Sequence, residues 1–241
     1  EQYQNWIGTL IPNNRSAGYE IGKLLIEQAL DAGMKASDGK LQVVAIAGDR
    51  ATQASIERVE GLEKALSEYP DAELQQVFYA EWRSDKAREQ AVQALKRYPE
   101  MSVLWGANDP IALGAMEGAI SVGKTPGKDI FVGGLNWDAP GLEKVKEGTM
   151  VTSVGGHFMT GGWVLVLLHD YYHGKDFAEE GAEMQRQIFG ALHKDNIDGF
   201  LEKLGDRNWS KIDFTKFSKV LNPEITTYDF GLEPILQQDL Q

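Results

Sequence analysis

The sequence contains no cysteine among its 241 residues. Disulfides and cysteine-based metal or redox sites are therefore excluded. Basic residues are few, since 24 Lys and Arg stand against 36 Asp and Glu, and the formal net charge is −12 at pH 7. Because binding to phosphate groups needs clustered Lys and Arg, this balance argues against nucleic acid as a partner.

Long apolar runs are also missing. The strongest run, from Gly161 to Leu168, is far shorter than the roughly 18 residues of a membrane-spanning helix. The residues from Glu1 to Gln4 do not form the basic and apolar regions of a signal peptide, and there is no initiator Met. We therefore expect no membrane insertion and a chain that is a processed or cut product.

Motifs of catalysis and cofactor binding are absent as well. The sequence has no glycine-rich phosphate-binding loop and no GxSxG element. His169 and His173 lie four residues apart on a predicted helix and could bind a metal. No third ligand accompanies them, so a solvated helix face that includes Asp170 is the favoured interpretation. The sequence predicts a non-enzymatic protein with no catalytic residue, cofactor or metal site.

Strand and helix signals alternate over the first 175 residues. Short apolar runs, each followed by a segment of helical periodicity, predict five strand–helix pairs. Runs that are apolar throughout favour a parallel sheet covered on both faces. The predicted fold class is α/β, with a doubly wound, mainly parallel sheet and helices on both faces. The predicted strands are 40–47, 73–80, 101–106, 129–135 and 150–154, and the predicted helices are 16–32, 54–69, 84–98, 110–122, 139–147 and 158–173.

The alternation stops near residue 180. Residues 193–204 predict one more helix, and the remainder mixes aromatics, Pro and Gly without a clear period. We expect an irregular C-terminal tail that packs by inserting its aromatic side chains. These are Trp209, Phe214, Phe217, Tyr228 and Phe230.

Polar and aromatic residues follow the predicted strands, and ligands of such sheets bind beyond the carboxyl ends of the strands. The flat faces of Trp82 and Trp137 suit the C–H face of a sugar or a cationic ligand. Asn108 and Asn136 offer amide donors and acceptors for a hydroxyl-rich ligand. The predicted ligand-binding residues are Trp82, Asn108, Asn136, Trp137, Asp138, Arg50 and His157.

Each of these residues also has a purely structural interpretation. Either Trp could be a loop aromatic that covers the core, and the two Asn could form turns or helix caps. Asp109 is the expected cap of its helix, which leaves Asn108 free, and Asp138 is the expected cap of the helix from 139. Arg50 could form a surface ion pair.

The segment Ala107 to Ala115, ANDPIALGA, resembles the second lobe of type I periplasmic binding proteins, the ribose-binding group. Segments that agree with this family in order are 14–18, 56–62, 132–136 and 141–152, and the resemblance covers about residues 5 to 175. It implies a periplasmic solute-binding protein that captures a small polar, sugar-like ligand between two lobes. Such a protein presents its ligand to an ABC transporter permease or to a membrane sensor kinase.

The resemblance also assigns individual residues. Trp82 falls on an aromatic that stacks on the sugar, and Asn108 on a ligand-binding Asn. Asn136 stands where the family usually has an Asp, Gly155 where a hinge Gln is common, and Ile56 where an Arg is common. A site without that Asp and Arg should hold hydroxyls more weakly. Compensation is expected from Arg50, Trp137 or His157.

The same resemblance implies a domain organisation. Residues 1–12 would be a hinge segment and the end of a largely missing first lobe, and 13–155 the ligand-binding second lobe. Residues 156–180 would be a hinge and a helix of the first lobe, and 181–241 a C-terminal extension. We therefore expect the native protein to be longer than this chain. We also expect the C-terminal tail or a partner chain to cover the apolar helix 158–173.

Two other functions fit parts of the sequence. One is the effector-binding domain of a lac-repressor-type transcription regulator, which shares this fold and would need a DNA-binding head. The other is an α/β enzyme acting on a sugar-like substrate, with Asp138 or His157 as its base.

Overall fold

The computed structural model describes residues 6–181, 183–186 and 188–240. The chain forms two compact units. The sheet unit comprises residues 14–155 and 191–198, and the tail unit comprises the described residues of 1–13, 156–190 and 199–241. None of the described helices is both long enough and apolar enough to cross a membrane.

The elements follow one another in a regular order over most of the chain. The strands are β1 (Thr9–Pro12), β2 (Leu41–Ala47), β3 (Ala72–Tyr79), β4 (Val103–Gly106), β5 (Phe131–Leu135), β6 (Thr152–Gly155), β7 (Glu183–Arg186) and β8 (Gly190–His193). The helices are α1 (Asn14–Asp31), α2 (Gln53–Ser67), α3 (Ser84–Arg97), α4 (Asp109–Ser121), α5 (Ala139–Glu147), α6 (Thr160–Tyr172), α7 (Ile197–Leu204) and α8 (Glu233–Leu236). Short 3-10 turns lie at His157–Met159, Ala178–Glu180, Trp209–Lys211 and Phe214–Phe217.

The sheet unit is built on a six-stranded sheet of order β3-β2-β4-β5-β6-β8. Strands β2 to β6 pair in parallel, with Val43 opposite Val103, Val103 opposite Phe131 and Gly133 opposite Thr152. The predicted α/β fold class is confirmed. Because the five strands run the same way, their carboxyl ends meet at one edge, which we call the carboxyl edge.

The sheet is buried because its strands are apolar on both faces. In β2, Val43, Val44 and Ile46 are all fully buried, as expected for a strand covered by helices on both sides. Helices α1 and α2 touch each other through glycine. A Cβ on Gly18 would lie 1.9 Å from the Arg58 backbone oxygen, and a Cβ on Gly61 would lie 2.1 Å from that of Arg15. This close approach fixes the position of α2, which carries Arg58.

The tail unit contains a second, two-stranded sheet, in which β1 pairs in parallel with β7. An aromatic cluster of this unit forms around Trp163 of α6, which is fully buried. The rings of Phe214, Phe217 and Phe230 lie 4.8, 4.7 and 4.9 Å from the Trp163 ring between centroids. The aromatic tail therefore covers one side of α6, while Leu165 on this helix is 67% exposed.

The helix predicted over 193–204 is confirmed, but it starts later than its predicted first residue, because Gly190–His193 is β8 and α7 begins at Ile197. The Asn196 side chain, which accepts from the His193 N–H and donates to the Ala191 oxygen, makes the turn between them. Asp170 does not lie on a solvated face but is fully buried, because the tail packs over it.

Candidate functional site

The carboxyl edge begins at Trp82, in the loop after β3. The indole lies on the backbone of Gly48, where a Cβ would be 2.3 Å from the ring. Its Nε1–H donates to Oδ2 of Asp49 at 2.7 Å. Trp82 is half-buried, so the ring is fixed on one side and still accessible to a ligand. This geometry suits the stacking role predicted for Trp82.

Asp49 is not one of the predicted ligand-binding residues. Its carboxylate also accepts from the backbone N–H groups of Ala51 and Thr52, both at 2.7 Å, and from the Thr52 hydroxyl at 2.9 Å. These bonds, the backbone ones first, lower the pKa of Asp49 to about 2. The group is therefore ionised throughout the neutral range. Its position directly after a strand was the only available signal.

Arg58 is the second residue that sequence reasoning missed. It lies two residues after Ile56, where the family resemblance implies an Arg, and it is 8% exposed. Its Nε–H donates to Oδ1 of Asn14 at 3.0 Å and its Nη1–H to the Ala107 oxygen at 2.8 Å. The guanidinium carbon lies 5.7 Å from the centroid of the Trp82 ring. Burial lowers the pKa of Arg58 to about 10, so it remains a cation that links β3 to β4.

The side-chain oxygen of Asn108 was expected to face a ligand, but it accepts a hydrogen bond from the protein itself. It is the N-cap of α4, and its Oδ1 accepts from the Ile111 N–H at 2.9 Å. The expectation that Asp109 caps this helix and leaves Asn108 free is wrong, because Asp109 turns inward. The Asn108 Nδ2 makes no hydrogen bond with any described residue, and it is available to a ligand as a donor.

Asp109 is fully buried beneath the carboxyl edge. It accepts from the Ser153 hydroxyl, at 2.9 and 2.7 Å to its two oxygens, and from the Asp138 N–H at 2.9 Å. Burial raises the pKa of Asp109 to about 7, although these bonds oppose the shift. Asp109 therefore connects the ends of β4, β5 and β6.

Asn136 and Asp138 follow β5. The Asn136 Nδ2 donates weakly to Oδ2 of Asp138, at 3.4 Å. Asp138 occupies the N-cap position of α5, but its side chain makes no capping hydrogen bond. The predicted capping role of this carboxylate is therefore wrong. Within the described residues, Oδ1 of Asp138 and Oδ1 of Asn136 have no hydrogen-bond donor, so both can accept from a hydroxyl group.

Trp137 differs from Trp82 in burial. It is 2% exposed, and its Nε1–H donates to the Ser153 oxygen at 3.1 Å. Its ring lies on Gly155, where a Cβ would be 2.3 Å from the indole. The structure thus shows the alternative interpretation, a loop aromatic that covers the core. The same packing explains why Gly155 stands where the family often has Gln, since a side chain has no space there.

The two remaining predicted residues, Arg50 and His157, make contacts of another kind. Arg50 is exposed, and its guanidinium carbon lies 4.0 Å above the centroid of the Tyr79 ring, a cation–π contact at the end of β3. His157 belongs to the tail unit, where it starts a 3-10 turn and its ring lies 5.3 Å from that of Phe189.

Backbone strain is concentrated in the two loops of the site. Among the described residues, five non-glycine residues have positive φ. Four of them are Glu81, Trp82, Asn136 and Trp137, with φ of 51°, 60°, 143° and 58°. Each such residue costs on the order of 1–3 kcal/mol and persists only where its surroundings hold it. Strain of this kind is typical of loops that serve a function.

These contacts join four of the predicted residues, Trp82, Asn108, Asn136 and Asp138, into one continuous strip. Asp49 holds Trp82, Arg58 links Trp82 to the Ala107 carbonyl beside Asn108, and Asp109 links this loop to Asp138 and Asn136. The strip presents an aromatic face, an amide donor and two oxygen acceptors. No group of three or more His, Asp or Glu residues that could hold a metal occurs in the described part of the chain.

Comparisons with known proteins show the family to which the chain belongs. A family model of the periplasmic binding protein domain matches residues 8–176. A periplasmic sugar-binding protein from Pseudomonas fluorescens is 35% identical, and the match covers 98% of this chain and 71% of that chain with a TM-score of 0.85. The chain therefore belongs to the periplasmic binding proteins, and the family resemblance found in the sequence is confirmed.

Two further relatives are more distant. A xylitol-binding protein from Mycolicibacterium smegmatis is 22% identical over 197 residues, which are 81% of this chain and 52% of the relative. The chain thus spans about half the length of this curated relative. A solute-binding protein from Actinobacillus succinogenes, solved with D-allose, is 22% identical and covers 80% of this chain and 63% of that chain with a TM-score of 0.65. This likeness shows the shared fold.

Proposed function

We propose that the carboxyl edge of the sheet unit binds a small, neutral, hydroxyl-rich ligand, a sugar or a polyol. The observation that carries this proposal is the half-buried indole of Trp82, fixed on Gly48 at one end of a strip of amide and carboxylate groups. An indole face covers the C–H face of a sugar, while the strip serves its hydroxyl groups.

The electrostatics of the strip favour a neutral ligand over an anionic one. Asp49 is ionised, and Asp138 presents a second carboxylate. Arg58, the cation beside Trp82, already donates to Asn14 and Ala107. A phosphate or a carboxylate in a ligand would face two like charges and would find this cation engaged, so anionic sugars should bind poorly.

The names of the relatives support the same ligand class. They describe a sugar-binding protein, a xylitol-binding protein and a solute-binding protein with D-allose. We propose that residues 13–155 form the ligand-binding lobe of a non-enzymatic solute-binding protein of the periplasm. Its partner would be an ABC transporter permease or a membrane sensor kinase.

Titration calorimetry with xylitol, D-allose and D-glucuronate tests the proposed ligand class. A neutral compound should bind, and Trp82→Ala should weaken its binding by about 1–3 kcal/mol, because the stacking area is lost. Tyr98→Ala is the matched control, since Tyr98 precedes β4 at the opposite edge of the same sheet, and it should leave the affinity unchanged. Failure of both neutral compounds to bind, or an unchanged affinity in Trp82→Ala, would refute the proposal.

A further inference from the structure

We propose that Asp49 is a positioning residue, which sets the plane of the Trp82 indole before the ligand arrives. This inference rests on the proposed function, because it gives Asp49 an effect on ligand affinity through a ring that it holds. Asp49 is not placed in contact with the ligand.

The carboxylate of Asp49 bridges two loops with its two oxygens. Oδ1 accepts from the backbone N–H groups of Ala51 and Thr52 in the loop between β2 and α2. Oδ2 accepts from the Thr52 hydroxyl and from Nε1–H of Trp82, which is in the loop between β3 and α3. The bonds from the Ala51 and Thr52 N–H groups fix the carboxylate. The bond from Nε1–H of Trp82 then ties the indole to the fixed carboxylate.

The hydrogen bond to Asp49 is the directional contact that fixes the rotation of the Trp82 ring. Gly48 provides a flat support beneath the indole. Because glycine has no Cβ, it offers no side-chain contact that would stop the ring from rotating in its plane. Trp82 also has a φ of 60°, in a region that its surroundings must maintain. The N–H bond at 2.7 Å therefore supplies the directional contact that selects one orientation.

The same bond should make the ring a better partner for a sugar. A carboxylate that accepts from the indole N–H is a charge-assisted acceptor, and such bonds are stronger than neutral ones. Its negative charge at the ring edge increases the negative potential of the ring face, to which polarised C–H groups are attracted. Because the N–H is used by Asp49, Trp82 offers the ligand its face alone.

The test compares Asp49→Asn with Thr52→Ala in the whole protein. Asn keeps an oxygen for the Ala51 and Thr52 N–H groups but removes the charge that holds the indole, so the fold should persist. Asp49→Asn should weaken binding of the neutral compound, xylitol or D-allose, by about threefold to tenfold. Thr52→Ala, which removes a bond to Asp49 but not the one to Trp82, should change the affinity less than twofold.

Nuclear magnetic resonance supplies a readout that loop stability alone would not move. The indole N–H signal of Trp82 is identified by its loss in Trp82→Phe. In Asp49→Asn this signal should move upfield and exchange faster with water, while the other indole signals stay in place. In the Trp82→Phe background, which has no indole N–H, Asp49→Asn should no longer alter the affinity.

The outcomes separate this inference from the proposed function. If Trp82→Ala weakens binding but Asp49→Asn does not, or if Thr52→Ala weakens it equally, the positioning role is overturned and the sugar site stands. If Trp82→Ala leaves binding unchanged, the proposed function fails, and the role of Asp49 fails with it. An indole signal of Trp82 that is unmoved in Asp49→Asn overturns the positioning role in either case.

Discussion

Asp109 in the sheet unit and Asp170 in the tail unit are both fully buried, yet their pKa values move in opposite directions. Burial dominates at Asp109 and raises its pKa to about 7. At Asp170 burial also acts to raise the pKa, but hydrogen bonds together outweigh it and lower the pKa. The balance between burial, nearby charge and hydrogen bonds, rather than burial alone, therefore decides the direction in which the pKa of an interior carboxyl moves.

The donors of Asp170 come mostly from the tail. They include the Ser218 hydroxyl, the Lys219 N–H at 2.6 Å and the Tyr228 hydroxyl at 2.9 Å. Asp109 receives the Ser153 hydroxyl and the Asp138 N–H, and the nearby Asp138 charge opposes its ionisation. Asp170 is thus an anion that anchors the tail to α6. Asp109 instead joins the loops of the carboxyl edge, and its pKa is about 7.

The largest expected effect follows from removing the charge of Asp170. Asp170→Asn should destabilise the protein by about 2–4 kcal/mol at pH 7, because an amide cannot accept the same set of buried donors. Since the folded pKa is lowered, this stabilisation is present above the ordinary pKa of 3.8 and is lost as pH falls through the folded value. Urea unfolding of the wild type and of Asp170→Asn at pH 7 and at pH 3 measures the loss of stability and its dependence on pH.

The exposed Asp229, which within the described residues accepts only from the Gly231 N–H, provides the control for this experiment. Asp229→Asn should change stability by less than about 0.5 kcal/mol. A loss in Asp170→Asn as small as that of the control would show that the tail does not depend on the buried anion.

A smaller effect of opposite pH dependence is expected at Asp109. Its raised pKa means that the unfolded chain loses this proton first, so stability should fall as pH rises from about 4 to about 7. Asp109→Asn should remove this dependence and stabilise the protein at pH 8 by on the order of 1–3 kcal/mol. Denaturant unfolding across this pH range compares the variant with the wild type. An equal slope in both proteins would contradict the assignment.

The smallest of these effects is expected at Asn108. Asn108→Ala should cost about 1 kcal/mol of stability, because the cap of α4 is lost. Asn108→Asp keeps an oxygen for the Ile111 N–H and should leave stability almost unchanged. Both variants lose the Nδ2 donor, so both should weaken sugar binding. Thermal unfolding and calorimetry on the two variants separate the helix cap from the ligand contact.

The sequence predicted most of the sheet unit because its local signals agree with its packing. The strand and helix ends lie within about two residues of the predicted ones, and α5 is predicted at both ends. The missed strands β1, β7 and β8 have only four residues each. Such short segments have no measurable period, and β8 consists of Gly, Ala, Leu and His, which do not favour a strand.

The location of the candidate site could be predicted from the sequence, but the hydrogen bonds and packing contacts among its residues could not. Topology brought Trp82, Asn108 and Asn136 to one edge. The inward turn of Asp109 depends on Ser153, which is 44 residues away, and no local pattern shows such a pair. Trp82 is half-buried and Trp137 is buried because of their contacts with Gly48 and Gly155. Only the folded chain reveals these contacts.

Gly48 also sets the height of the Trp82 ring above the end of its strand. Because the indole lies directly on the main chain there, the proposed ligand would be separated from the strand end by a single ring, at a contact distance of about 3.5–4 Å. A methyl group at this position would lie 2.3 Å from the indole and would tilt or lift the ring. The absence of one side chain thus determines how close to the sheet the proposed ligand could lie.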